Sequence, residues 1–436
     1  MKKTSLLTLV LLAYSFLSYG QDTIRVAKKD LLEKVGAANL QIQQAQKTYE
    51  GARADYRQTN ALFLPNITAS HTAISTTNPL MAFGSKLNQE ILTASDFNPA
   101  LLNDPAKTQN FATVISVQQP LLNADGLYQR KAAYATMQAY ALQVARAKEY
   151  LQLEVGKSYM QLQLAYQAVN VLTKANTTAQ ANLKLIEQYF KQGLVQKTDV
   201  LNVEIRVTEV ANQLQYAKSN LQNASDYLGF LVNEDLKNKV YQPTEVLEST
   251  ITVSPIHNDV PENRKDIQAM TLSATAYEKM YTASKMNFLP RLNAFGSYEL
   301  YDQSLFGTKA KGYVVGAQLS WNVFDGSKSL GKMARAKADF QKATLETEQY
   351  KKQSQLEVSK TNRQLLDAEH KVSLSQLALA QAREAYRIRQ NRFAQGLEKT
   401  TDLLQSETQM QQKELESLQA VFEYGYTKAY LAFLTD

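Results

Sequence analysis

The residue types that most often carry chemistry are few in this sequence and wrongly spaced for it. The histidines, His71, His257 and His370, stand alone. None forms the His-x-x-x-His or Cys/His spacing that holds a transition metal. With no cysteine in the chain, neither a thiol nucleophile nor a disulfide framework is available. No Gly-x-Ser-x-Gly elbow occurs, no Gly-x-x-x-x-Gly-Lys-Ser/Thr phosphate loop, and no Gly-x-Gly-x-x-Gly between strand and helix. Carboxylate pairs such as Glu346 and Glu348 read as solvated helix surface. The formal net charge of +7 is spread over 436 residues without the dense Lys/Arg cluster of a nucleic-acid binder. The expectation is a protein with no active site, no metal, no cofactor and no nucleic-acid partner.

What does recur at fixed spacing is a pair of turns. Phe190-Lys-Gln-Gly193-Leu194 is followed by Thr198-Asp199-Val-Leu201 and Glu204. Phe393-Ala-Gln-Gly396-Leu397 is followed by Thr401-Asp402-Leu-Leu404 and Glu407, 203 residues later. The same offset maps Tyr227-Leu-Gly-Phe-Leu231 onto Tyr430-Leu-Ala-Phe-Leu434. Gly193 and Gly396 suit a tight helix-to-helix turn, where a left-handed conformation costs little only for glycine. Thr198 and Thr401 read as N-caps of the returning helices, with Leu201 and Leu404 opening their apolar seams. Asp199 and Asp402 fall in the first helical turn, where an acid complements the helix dipole by ~0.3–1 kcal/mol; that alone accounts for their type.

The elements around these turns form two tandem halves. Each half reads as a helix (29–62, then 264–287) stopped by Leu-Pro, at Leu64-Pro65 and Leu289-Pro290. Two strands, a very long helix, the glycine turn and a return helix follow. The strands alternate. Tyr313, Val315, Ala317, Leu319 and Trp321 share one face, opposite Gly316, Gln318 and Ser320; Phe111, Thr113, Ile115 and Val117 do the same. At roughly 9–11 residues this pattern fits transmembrane barrel strands, with Tyr298, Tyr301, Tyr313 and Trp321 as an aromatic belt. It equally fits a soluble hairpin packed on a helix, and the strands alone leave both open. The loop between Asn78 and Asn110 makes the first half longer. In the helices Val155, Leu162, Val169, Leu183 and Phe190 form one heptad seam, and Leu151, Leu172, Ala179 and Ile186 belong to a second. Two seams per helix mean neighbours on both sides. A helix over 127–190 would be roughly 95 Å long. Residues 236–263, with Pro243, Pro255 and Pro261, break the periodicity and read as a connector lying beside the hairpins.

At the N-terminus, Lys2 and Lys3 precede an apolar core from Leu6 to Leu17 and the polar Gln21 and Asp22. Such a core is too short to cross a bilayer of ~30 Å and fits a secretory signal over 1–20. One chain then supplies four barrel strands. Four cannot close, and an open edge is not tolerated in lipid. Three copies would give a twelve-stranded barrel with a lumen and enough long helices for a hollow cylinder.

These motifs resemble the TolC-type outer-membrane efflux proteins. The resemblance spans essentially all of the mature sequence. It rests on the duplicated unit, Ala38-Asn-Leu-Gln-Ile42 with Ala45, the Leu-Pro stops, Trp321-Asn-Val-Phe-Asp325-Gly326, and the two Gly-Leu…Asp-Val/Leu-Leu turns. One departure is Asn263-Arg264-Lys265-Asp266, where the family has Arg-Pro-Asp; proline there is favourable but dispensable. The resemblance implies a mainly α fold with a β-barrel part. Long coiled helical hairpins would form an α-barrel, and four transmembrane strands per chain a trimeric barrel in outer-membrane lipid, with most of the mass in the periplasm. It implies a periplasmic adaptor and an inner-membrane pump as partners. The turns at Gly193, Thr198, Asp199, Gly396 and Thr401 would form the tip that meets the adaptor. Asp402 would line the tunnel entrance. Gln405, one turn on, stands where the family often has a second acid, so a cation would be held more weakly. Without a cysteine after the signal, membrane attachment falls to the polypeptide itself. A secreted coiled-coil structural or adhesin protein explains the signal and heptads but not two strand pairs at matching places; a periplasmic adaptor needs small β-domains rich in Gly and Val that are absent. Intact-mass measurement of the chain from a secreting host is expected to show cleavage next to Gln21; retention of residues 1–20 would contradict the signal reading.

Overall fold

The computed structural model describes residues 23–237, 239–248 and 259–435. The expected signal segment and His257 lie outside the described residues. Strand β1 (Thr23–Val26) leads into helices α1 (Lys28–Ala38) and α2 (Leu40–Gln58), then β2 (Asn66–Thr76), the short α3 (Pro79–Asn88) and β3 (Thr108–Leu122). A long hairpin follows, α4 (Ala124–Lys191) and α5 (Lys197–Leu231). After β4 (Val240–Pro243) the order repeats with α6 (Lys265–Met286), β5 (Arg291–Asp302), β6 (Ala310–Ser320), α7 (Lys328–Ala394) and α8 (Thr400–Thr435). At 68 residues, α4 runs for about 100 Å.

The chain packs as two compact bodies that cut across the tandem halves. Of the described residues, one gathers those up to Gln46, those within Gln143–Lys265 and those from Tyr350 onward; the other combines Lys47–Leu142 with Asp266–Gln349. The first body therefore holds most of both hairpins, and the second holds the sheet strands of both halves.

In the first body the heptad residues are the core. Leu151, Val155, Leu162, Leu228 and Leu231 cluster with Leu31, Val35, Ile42 and Tyr241. Val358, Leu365 and Val372 cluster with Val421, Phe422 and Leu434. The seams of the return helices open at Val200 and Leu403, both buried, rather than at Leu201, which is exposed, and Leu404. The connector contributes β4, which pairs in parallel with β1; Thr244 N–H extends that pairing to Val26 O at 3.0 Å. Tyr159 of α4 is buried beneath it and donates to Val26 O at 3.2 Å and to the Glu245 carboxylate. Arg264, in the departing Asn-Arg-Lys-Asp segment, is buried and donates to Leu434 O at 3.0 Å and Ser354 Oγ at 2.7 Å. Lys265 fills the first helical position without cost to that anchor.

The helix expected over 29–62 is not continuous. Asn39 breaks it with an extended backbone. Its Oδ1 accepts from Gln41 and Ile42 N–H at 2.8 and 3.3 Å, and its buried Nδ2 donates to Leu231 O at 2.7 Å. A side chain that can satisfy both the new helix start and an orphan carbonyl at the end of α5 outweighs helix propensity at one position. In the second body, the extra loop of the first half is ordered by the Asn78 cap on α3, by a Lys86–Asp96 ion pair at 2.8 Å, and by Gln89 Nε2 donating to Gln109 O and Asn110 Oδ1. Asn39→Ala removes a buried bond and a helix cap together. It is expected to lower stability by about 1–3 kcal/mol, read as a lower midpoint of helical circular dichroism on heating; an unchanged midpoint would show that the break is dispensable.

Candidate functional site

The second body carries a four-stranded antiparallel sheet in the order β2-β3-β5-β6. Its register settles which side chains share a face. Tyr298 lies directly across from Tyr313, Ile115 across from Tyr298, and Ile67 across from Val117. With Val315 and Leu319 these residues make one apolar face, and it is bare: Tyr313 and Val315 are each 77% exposed. The other face is mostly polar, with Thr68, Ser116, Gln118, Ser297, Glu299 and Gln318 among its residues. Inverted polarity of this kind, greasy outside and unburied, suits strands solvated by lipid on one side and water on the other. β2 and β6 are edges with no strand beyond them among the described residues.

Tyr301 does not share the face of Tyr298 and Tyr313. It pairs with Ala310 and donates to Glu299 Oε2 at 2.6 Å, so it belongs to the polar side. An odd sequence separation from Tyr298 forces this in a strand of period two. Trp321 follows the last residue of β6, is exposed, and donates Nε1–H to Phe288 O at 2.9 Å. Among the described residues no helix is long and apolar enough to cross a membrane.

In the first body the two glycine turns are built alike. Gly193 and Gly396 have φ of +75° and +73°. Leu194 N–H bonds Tyr189 O and Leu397 N–H bonds Arg392 O, each at 2.9 Å, while Gly193 and Gly396 N–H reach Phe190 O and Phe393 O, also at 2.9 Å. This double bond pattern with a left-handed glycine closes a helix C-terminus. The caps differ from the expectation. α5 starts at Lys197, and Gln196 is its cap, its N–H donating to Asp199 Oδ2 at 3.0 Å. α8 starts at Thr400. Thr198 and Thr401 are therefore exposed first-turn residues and not caps; in the first turn Asp199 reaches back to the Gln196 N–H and fixes the helix start there. Asp402 is half-buried and Gln405 exposed; among the described residues the Asp402 carboxylate has no side-chain partner. The turns share a cleft of about 740 Å³ lined by Tyr189, Leu194, Thr198 and Asp199 of one and Phe393, Gly396, Thr400 and Thr401 of the other. They are not chemically equal. Glu398 accepts from Arg389 at 3.1 Å and Arg392 at 2.9 Å, where the first turn has Val195.

Beyond the turns a buried polar layer joins the hairpins. Arg206 of α5 and Glu407 and Gln411 of α8 are each at most 4% exposed. Asn182 of α4 donates to Glu407 Oε2 at 2.8 Å, Arg206 donates to Gln411 Oε1, and Gln411 donates to Gln213 Oε1 at 2.9 Å. Arg206 Nε stands 3.9 Å from Glu407 Oε1, and both atoms lack a hydrogen bond. Burial pushes the Glu407 carboxyl up, against the pull of Arg206 and Asn182. Burial, then the nearby Glu407 charge, pushes the Tyr386 hydroxyl up to about 12. Among the described residues no cluster of His, Cys, Asp and Glu has the makings of a metal site.

A family profile described as "Outer membrane efflux protein" matches residues 31–234 and 257–433. The chain belongs to that family. It is accordingly an outer-membrane transport protein. Solved structures of outer-membrane channels and proteins share the fold. CusC, described in terms of folding and transmembrane channel formation, superposes with a TM-score of 0.80 at 16% identity over 93% of this chain and 91% of its own. The Campylobacter jejuni CmeC outer membrane channel gives 0.79 at 16% identity over 94% and 85%. The Vibrio cholerae outer membrane protein VceC gives 0.78 at 16% over 94% and 96%. No curated protein sequence is a significant match.

The polar layer was not singled out from sequence, although a signal existed. Arg206 sits three residues after Val203 and four before Val210, and Glu407 and Gln411 fall four and eight after Leu403, at the spacing of the seam. Polar residues at core-forming positions mark such layers. Removing Arg206 alone strands a buried acid, so Arg206→Met is expected to cost about 3–5 kcal/mol, whereas Arg206→Met with Glu407→Leu is expected to regain most of it. Because Glu407 holds its proton more tightly when folded, its contribution is full below the unfolded carboxylate pKa of ~4.3 and fades as pH rises through the raised value. Glu407→Gln should flatten that pH dependence. Denaturation midpoints across pH 4–8 in ~0.1 M salt check both; a double variant no better than Arg206→Met would refute the pairing.

Proposed function

We propose that three copies of this chain close into one outer-membrane channel, continued into the periplasm by their hairpins, that passes compounds outward for an inner-membrane pump recruited through a periplasmic adaptor. The observation that carries this reading is the sheet: a bare apolar face, a polar face and two unpaired edges in one four-stranded antiparallel unit. Lipid tolerates strands only when every edge is paired, and sister copies are the nearest source of matching edges. Family members work as trimers with adaptors and pumps, which supports the same stoichiometry and partners here. Tyr298, Tyr313 and Trp321 then anchor the barrel at the membrane interfaces. The turns at Gly193, Thr198, Asp199, Gly396 and Thr401 meet the adaptor.

Asp402 is the residue assigned to the entrance. Three copies around the axis make an anionic ring of the sort that binds cations in pores. Gln405 adds amide oxygens but no charge, so divalent cations should block weakly. The purified chain in planar lipid bilayers is expected to give discrete conductance steps that fall on adding a divalent cation. Asp402→Ala should abolish the block and Gln405→Glu should deepen it by roughly tenfold in affinity, about 1.4 kcal/mol. No conductance at all would contradict the channel reading; a block unchanged by Asp402→Ala would remove only the assignment of the ring.

A further inference from the structure

The two hairpins are copies of one design, and the structure shows one copy covered where the other is bare. Tyr227 OH donates to Glu154 Oε1 at 3.3 Å, and Tyr430 OH donates to Glu357 Oε1 at 3.4 Å. Both pairs are offset by 203 residues. Tyr227 stacks on Phe230 at 6.2 Å and 24°, and Tyr430 on Phe433 at 6.4 Å and 22°. The equivalence therefore holds at the level of side-chain geometry.

The surroundings differ. Phe433 of α8 is half-buried against α4 of the same chain. The Arg146 guanidinium lies 3.7 Å from its ring centroid, Arg146 also donates to Phe433 O at 3.1 Å, and Tyr150 meets the ring edge-on at 6.2 Å. Phe230 of α5 has no such cover among the described residues and is 66% exposed. The second half leans on the first, and among the described residues the first has nothing equivalent to lean on. Applying the 203-residue offset to Tyr150 gives Gln353 of α7, which is also exposed, beside Leu356 at 64% exposure. Lys352, next to Gln353, and Asp226, next to Tyr227, are exposed charges of opposite sign.

We infer that the Tyr227–Phe230 pair docks on a second copy of this chain, against α7 around Gln353 and Leu356, repeating between copies the contact that Phe433 makes with Tyr150 within one. A stacked aromatic pair is costly to leave in water, and aromatic anchors seated in a complementary surface dominate most interfaces. The inference rests on the proposed closed oligomer, and it adds which surfaces form the seam.

The chain has no cysteine of its own, so paired cysteines report the contact without background. Phe230→Cys with Gln353→Cys, treated in membranes with a short bismaleimide, is expected to give covalent dimers and trimers on a denaturing gel. Each single variant should run as monomer. Tyr150→Cys with Phe433→Cys should react within one chain and lose its free thiols without gaining mass beyond one monomer. Native mass spectrometry of the unmodified protein is run in parallel. If it reports an oligomer, and the control pair reacts while the Phe230/Gln353 pair stays monomeric, the inference is overturned and the channel reading stands. If the unmodified protein is a monomer in lipid, the channel reading fails and the inference falls with it.

Discussion

Backbone hydrogen bonding at the two sheet edges is the constraint from which the remaining architecture follows. Among the described residues β2 and β6 each run for 11 residues with no strand on one side, and one face of their sheet is apolar and bare. In water such an edge is an aggregation hazard. In hydrocarbon each unsatisfied group costs several kcal/mol, so an edge of this length carries a penalty of roughly tens of kcal/mol. No rearrangement within one chain relieves it, because four strands are too few to close. On the proposed reading the sheet is stable in a membrane only as one part of a larger closed barrel.

The hairpins face the complementary problem. Their cores are strings of small and medium apolar residues along helices of 67 and 68 residues, so cohesion is spread thinly and no single contact dominates. Against that background the Arg206–Glu407–Gln411 layer stands out. Desolvating a charged pair gains little net stability, but a mismatch at that layer is expensive, which fixes the register between α5 and α8. The glycine turns complete the arrangement by satisfying the helix-terminal carbonyls internally, leaving the tip surface free to carry chemistry that differs between halves: Val195 in one, the Arg389–Glu398–Arg392 cluster in the other.

Much of this was legible in the sequence, because period and repeat are read from side-chain type alone. The alternation of Tyr313 to Leu319, the heptads through Leu151 and Val155, and the left-handed glycines all follow from spacing. What the sequence hid depends on partners distant along the chain. Asn39 ends a helix because Leu231 O needs a donor, and nothing near residue 39 announces that. Gln196 caps α5 in place of Thr198 because Asp199 reaches back to its N–H. Tyr301 was grouped with its aromatic neighbours by type, although its odd spacing from Tyr298 already placed it on the other face. The buried polar layer is hidden for the opposite reason: its spacing is that of the seam, but Arg, Glu and Gln are residue types of an exposed helix face.

The central claim, that sister copies seal the edges, is tested most directly by amide hydrogen exchange of the lipid-reconstituted protein, read at β2 and β6. Sealing predicts slow exchange for the edge-facing amides of both strands, comparable to the interior strands β3 and β5. Fast exchange confined to β2 and β6, with β3 and β5 protected, would mean that the edges stay open in the membrane and would contradict the account.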